Sequence, residues 1–320
     1  MIRPLALLVV LGLAGCVGVS TESSAPIDLA APGKWLTFAP LKSARQEVAV
    51  AAFRGFVVVI GGFGETGDPL AMVEFYDPRE NRWSPRAPLP EPLHHPAAAA
   101  VGDRLFVVGG YTGGRLRWTP SAAVYEYDFS RDAWMTRAEM PTARGALAVA
   151  VLDGRLHALG GSGEEVTGAH EVYDLAANRW RPVTALPTPR DHLAAITFQD
   201  RVWAIGGRTS FWGQQYPNVD IYDAAADSWS TGTPLPAGRG GLAAAVLGDR
   251  VYVFGGEAPF RIFRSTEMYE VLGNRWIAKE AMPTPRHGIG AAVLDGRIYI
   301  PGGGTQPGLA ATIVHDSYSP

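Results

Sequence analysis

Chemistry in this 320-residue chain would have to come from a small set of polar side chains. His94, His95, His192 and His287 are imidazoles that, if they converged, could hold a metal or move a proton. They come from three separate stretches at different offsets, without tight ligand spacing, so the sequence predicts isolated histidines, no metal centre and no cofactor. Glu47, Asp191 and Glu257 offer carboxylates for acid or base work, and Arg208 offers a fork for an anionic group. No phosphate loop, zinc cluster or nucleophile motif accompanies them. A second set is aromatic. Tyr111 and Trp118 share one stretch with Arg115 and Arg117, while Phe211, Trp212 and Tyr216 follow Arg208, and Phe260 and Phe263 each precede an arginine, Arg261 and Arg264. Aromatic rings beside arginines on exposed loops are what a sugar-stacking or protein-docking surface needs.

Such residues need a scaffold, and the sequence supplies a repeated one. Glycine pairs recur at Gly61-Gly62, Gly109-Gly110, Gly160-Gly161, Gly206-Gly207, Gly255-Gly256 and Gly302-Gly303. Trp35, Trp83, Trp134, Trp180, Trp229 and Trp276 each lie 26 residues before the next pair, and Tyr76, Tyr127, Tyr173, Tyr222 and Tyr269 each precede a tryptophan by seven. A fixed period near fifty residues is the mark of a repeat architecture. Within one unit, the alternation over Leu147 to Leu152, the Asp153-Gly154 turn and the return over Leu156 to Leu159 read as a hairpin. A third strand ends on Val172-Tyr173-Asp174, and Trp180 opens a fourth. Each unit is therefore a four-stranded antiparallel meander, too small to bury both faces alone, and six must stack.

The glycine pair, the tyrosine and the tryptophan at fixed distances resemble the kelch family over residues 34–318. The resemblance implies an all-β, six-bladed β-propeller. The last unit has His315-Asp316 where a Tyr-Asp is expected and stops before any tryptophan, so Trp35 to Phe38 is expected to complete the sixth blade beside Ala311 to His315. Tryptophans and tyrosines repeated in every unit are assigned to packing between blades. From glycine pair to tyrosine the count varies between 13 and 18, so length variation sits in the loop between the second and third strands. That loop shares a face with the links between blades, and any site is expected there.

Sixteen residues before a glycine pair stand Arg45, Arg144, Arg190, Arg239 and Arg286, with Leu93 in the second unit. In kelch adaptors of ubiquitin ligases, residues at this point and after the glycine pair contact acidic peptides; the resemblance thus names these arginines, Arg190 and Arg239 among them, with Arg208, Tyr111 and Phe63. Five-fold recurrence favours a structural role for the arginines, whereas Arg208 follows one glycine pair alone and is expected to be exposed and to take an anionic ligand. Kelch enzymes of the galactose oxidase type need a cysteine linked to a tyrosine, and the sole cysteine is Cys16. The sialic acid mutarotases are a second enzymatic kind, in which a carboxylate and a base would work beside an arginine, but the inter-blade insertion of those enzymes is missing. The reading is therefore a binding propeller for a protein or glycan, an anionic one included, with a sugar mutarotase as the alternative.

Composition agrees with this and sets the address. Net charge is -3 with no basic block, which removes the footprint of a nucleic-acid binder. Glycine (38) and proline (25) suit short strands and tight turns. Residues 1–15 have the layout of a signal peptide, with Arg3 before an apolar run too short to span a bilayer. Leu13-Ala14-Gly15-Cys16 resembles a bacterial lipobox, which implies lipid attachment at Cys16 and membrane contact through that lipid alone. Val17 in place of aspartate resembles an outer-membrane destination in a Gram-negative cell envelope. Residues 16–33 then form a linker, and residues 34–320 the propeller.

Overall fold

The computed structural model describes residues 31–114 and 117–320. The signal peptide, Cys16 and Arg115 lie outside the described residues. Six four-stranded antiparallel sheets form the blades of a propeller. The first runs Ala49–Phe53, Phe56–Ile60, Val73–Asp77 and Arg82–Arg86, and the four that follow repeat this order. The sixth blade is assembled from both ends of the chain: Ala292–Leu294, Arg297–Pro301 and His315–Ser319 are completed by Lys34–Thr37.

Closure by the N-terminal strand is as expected, but its partner is not Ala311 to His315. Trp35 pairs with Tyr318 and Thr37 with Asp316. Tyr318 is thus the sixth tyrosine, since Tyr76 faces Trp83 in the same register. Both placements fall inside the range of the other blades, 13 from Gly302 to His315 and 16 to Tyr318, so spacing does not separate them and the strand register does.

Two repeated contacts explain why these residue types recur. The indole N–H of each tryptophan donates to a backbone carbonyl of the preceding blade: Trp83 to Ala39, Trp134 to Ala87, Trp180 to Ala138, Trp229 to Thr184 and Trp276 to Thr233, all at 2.8–3.0 Å. Trp35 closes the circle on Glu280 at 2.9 Å. Each glycine pair has positive φ at both residues, and its second N–H bonds the next blade's link, as Gly62 does to Leu93 O at 2.8 Å. A Cβ on Gly61 would lie 2.5 Å from that same oxygen, so only glycine fits. The innermost strands are rich in alanine and valine, as in Ala97–Val101, because six of them converge on the axis.

Candidate functional site at the channel mouth

Each recurrent arginine is fully buried and spans its own blade. Arg45 meets Glu74 at 2.6 Å, Arg144 meets Glu171 at 2.5 Å, Arg190 meets Asp220 at 2.8 Å and Arg286 meets Asp316 at 2.8 Å; Arg239 pairs with Glu267. Arg190 also donates to Gly206 O, Thr188 O and Ala204 O. The candidate ligand role of Arg190 and Arg239 is therefore corrected: both guanidinium groups are consumed inside the blade and show no surface to a ligand. The acids stand two residues before the blade tyrosine, a signal that the sequence did contain. In the second blade arginine and acid are lost together, replaced by Leu93 and Tyr125, which pack in one apolar cluster.

Directly after the arginines, the links converge on the axis. The residue two beyond each arginine position, namely Glu47, His95, Ala146, His192, Gly241 or Gly288, has φ between 50° and 66°. Its N–H donates to the carbonyl of the equivalent residue in the preceding blade: His95 to Glu47, Ala146 to His95, His192 to Ala146, Gly241 to His192, Gly288 to Gly241 and Glu47 to Gly288, at 2.8–3.0 Å. Six blades thus share one closed ring of backbone hydrogen bonds. Beneath it Val48, Pro96, Leu147, Leu193, Leu242 and Ile289 form an apolar collar around a cavity of about 80 Å³.

The histidines expected to be isolated are brought together here. Three ring positions are small, and their space is filled by the side chains of the others: a Cβ on Gly288 would lie 2.4 Å from Glu47 Oε1. Glu47 is 3.3 Å from His95 Nε2 and 3.4 Å from His287 Nδ1; His287 Nδ1 is also 3.3 Å from Glu257. Glu257 accepts from Arg208 at 2.7 Å, and Asp191 accepts from His192 Nδ1 at 2.7 Å. Burial opposes charge on Glu47, yet the neighbouring His95 and the His287 hydrogen bond outweigh it and hold this carboxyl well below its ordinary range. Burial likewise opposes charge on His287, and its bond to Glu47, with Glu257 nearby, raises it above an ordinary histidine. Glu47 and His287 thus each favour the charged form of the other. Arg208 is buried as well, at 6% exposure, which corrects the expectation of an exposed residue without structural partners.

The remaining predicted residues divide into two groups on the same face. Phe63 and Tyr111 are buried; Phe63 stacks on His94 with centroids 3.9 Å apart, Tyr111 stacks on its other side at 5.3 Å, and the exposed Trp118 covers His94 edge-on at 4.8 Å. Across the mouth, Arg208 lies over Phe211 at 5.5 Å, Phe211 meets Trp212 at 4.7 Å, and Trp212 meets Phe260 at 5.2 Å. Tyr216 is half-buried and Arg117 exposed, outside both groups. The bridges Gln46↔Phe63, His94↔Tyr111 and Asp191↔Arg208 put the links and variable loops on one face, as the antiparallel order requires. A cavity of about 400 Å³ between blades four and five lies elsewhere, lined by residues that include Gln199, Arg201 and Asn274 and by no carboxylate or histidine among the described residues.

Comparison with known proteins agrees with the architecture. A model described as the KLHDC2/KLHL20/DRC7 Kelch-repeats domain matches residues 34–207, and the Kelch motif matches residues 189–236 and 238–283. Kelch-like protein 35 of Mus musculus is 35% identical over 130 residues, covering 41% of this chain and 21% of the relative. Beta-scruin of Limulus polyphemus is 30% identical over 132 residues, 40% of this chain and 14% of its own length. The chain thus spans about a fifth or less of these relatives. The solved structure of YjhT superposes with a TM-score of 0.74 at 15% identity, covering 87% of this chain and 95% of that one, a likeness of fold. With six glycine–aromatic units closed into one ring and family matches running from residue 34 to 283, the chain belongs to the kelch-repeat family.

Proposed function

We propose that this chain is an envelope-anchored binding propeller that takes a protein or glycan on its variable-loop face. One observation carries the reading. Among the described residues, six large hydrophobic side chains are exposed, and five of them, Trp118, Trp212, Phe260, Leu309 and Ile313, sit in loops between second and third strands. Exposed apolar groups gathered on one face mark an interaction surface. Trp212 and Phe260, at 67% and 83% exposure, come from adjacent blades and present a paired aromatic surface beside the exposed Arg261. Such a pair stacks on a sugar ring or seats a partner side chain, with the cation favouring acidic ligands. Replacing both, Trp212→Ser with Phe260→Ser, should leave the melting temperature within about 1 °C, since neither ring is buried. The same variant should lose at least about tenfold in affinity for whatever glycan or envelope protein the parent selects on an array or in crosslinked envelope extract. Unchanged binding would reject this face. Anchoring rests on the lipobox resemblance at Cys16: radiolabelled palmitate should enter the parent and not Cys16→Ser, and equal labelling of both would refute it.

A second reading has its own observation. The buried Glu47–His287 pair and the Arg208–Glu257 pair place acid, base and an anion-binding group within one mouth, which a sugar mutarotase would need. Accelerated anomer exchange of sialic acid by the parent, lost in Glu47→Gln, would favour this reading; no acceleration would remove it.

A further inference from the structure

We propose that Glu47, His95 and His192 bind a divalent transition-metal ion at the channel mouth. This inference is independent of the binding reading and shares Glu47 with the mutarotase reading. The three residues come from three different links, and one donor atom from each lies within 4.8 Å of the others. Glu47 and His95 Nε2 already stand 3.3 Å apart, the separation of two donors at roughly 2.0–2.1 Å from one tetrahedral ion.

His192 carries the argument furthest. Its Nδ1 is held by Asp191 Oδ1 at 2.7 Å, which makes Nδ1 the protonated nitrogen and leaves a lone pair on Nε2. That Nε2 is buried without a hydrogen-bond partner, on a side chain nine-tenths removed from solvent. A histidine oriented by a carboxylate through one nitrogen, with the other unpartnered, is the arrangement found behind metal ligands. His95 repeats it with a different outer partner: its Nδ1 lies 2.6 Å from His94 Nδ1, and when His95 donates, its Nε2 lone pair faces the Glu47 carboxylate. A cation between these atoms would be held by both donors.

The backbone adds an independent point. All three ligands sit at positive φ, between 51° and 54°, where the fifth and sixth blades place Gly241 and Gly288. A non-glycine residue there costs about 1–2 kcal/mol. The ring itself does not require that cost at every position, because Gly241 and Gly288 serve it in the fifth and sixth blades. The cavity of about 80 Å³ beside the three ligands has room for an ion with one or two waters, each occupying about 30 Å³. Two imidazoles and one carboxylate suit zinc, cobalt or ferrous iron and disfavour calcium and magnesium, which take oxygen donors.

The test is uptake of metal by the full chain after chelator treatment and dialysis. Cobalt should bind at one equivalent with visible bands of nitrogen and oxygen coordination, without the thiolate charge-transfer band that Cys16 would give, and zinc should raise the melting temperature. His192→Asn, chosen because asparagine tolerates positive φ, should weaken cobalt binding by more than about 100-fold. Asp191→Asn keeps all three ligands and should cost roughly 10–100-fold; it serves if His192→Asn does not fold. Failure of the chelated parent to take up cobalt or zinc, or equal affinity in the parent and Asp191→Asn or His192→Asn, would overturn the site.

Discussion

Arg190 and Asp220 show what one side chain can do inside a blade. The pair is completely buried and the guanidinium also holds three carbonyls, so removing the arginine strands an acid and several acceptors at once. Arg190→Leu should therefore lower stability by about 3–5 kcal/mol. The second blade shows that the charge pair is replaceable, since Leu93 and Tyr125 fill the same two positions. Arg190→Leu combined with Asp220→Tyr should recover more than half of that loss in urea melts; a double variant no better than the single one would mean that the carbonyl contacts, and not the stranded acid, dominate. At this scale recurrence made the arginines legible as structural. It misled at Arg208, where occurrence in a single blade was read as exposure. Glu257, which holds it, is the equivalent residue after the next glycine pair, 49 residues on, a contact between repeats that the reading of a single blade does not show.

At the level of elements, the closing strand is the one piece whose partner comes from the far end of the chain. Among the described residues Lys34–Thr37 pairs only with His315–Ser319, and Phe38 packs against Tyr76, Tyr299 and His315. Deleting residues 34–38 exposes an edge and removes two large aromatic side chains, each worth about 3–5 kcal/mol on truncation. The deletion should thus lower the melting temperature by more than 10 °C and promote self-association visible by light scattering. A variant that melts like the parent would show that the strand is dispensable. The blade elements were readable because turns, alternation and aromatic spacing agree in every repeat. The loops between second and third strands were not, since each obeys its own contacts, some with residues remote in the chain: Gln46 by itself ties two backbone groups of the sixth loop, at Gly308 and Ala310.

Taken whole, the molecule buries more imidazole than it charges. Burial pushes His157 and His315 down to about 4 and His170 to about 3, the last two packed against blade tyrosines and tryptophans. His94 is pushed to about 3 by the same cause, and His95 also falls well below an ordinary histidine. In the unfolded chain these groups take up protons near 6.5. The folded state resists them, so their stabilisation is complete above pH 6.5 and is lost as pH falls from 6.5 towards 4. His287, raised above its ordinary value, works in the opposite sense, one group against five. Urea midpoints should accordingly fall between pH 7 and pH 5, before the carboxylates begin to titrate, and His170→Leu should flatten that slope. A midpoint independent of pH across this window would contradict the burial argument. None of this was visible in the sequence, where a histidine on a strand and one at a channel mouth look alike.

The ring of backbone bonds at the channel mouth has a consequence of its own. A linear stack of repeats frays from its ends, because a terminal unit has one neighbour. Here each of the six amides is held by the blade before it and each of the six carbonyls by the blade after it, so the series has no first member. Opening one link releases an amide on one blade and a carbonyl on the blade before it, and both stay confined by the remaining five. The amides of Glu47, His95, Ala146, His192, Gly241 and Gly288 therefore exchange their hydrogens with solvent as one cohort, through unfolding of the whole propeller and not blade by blade.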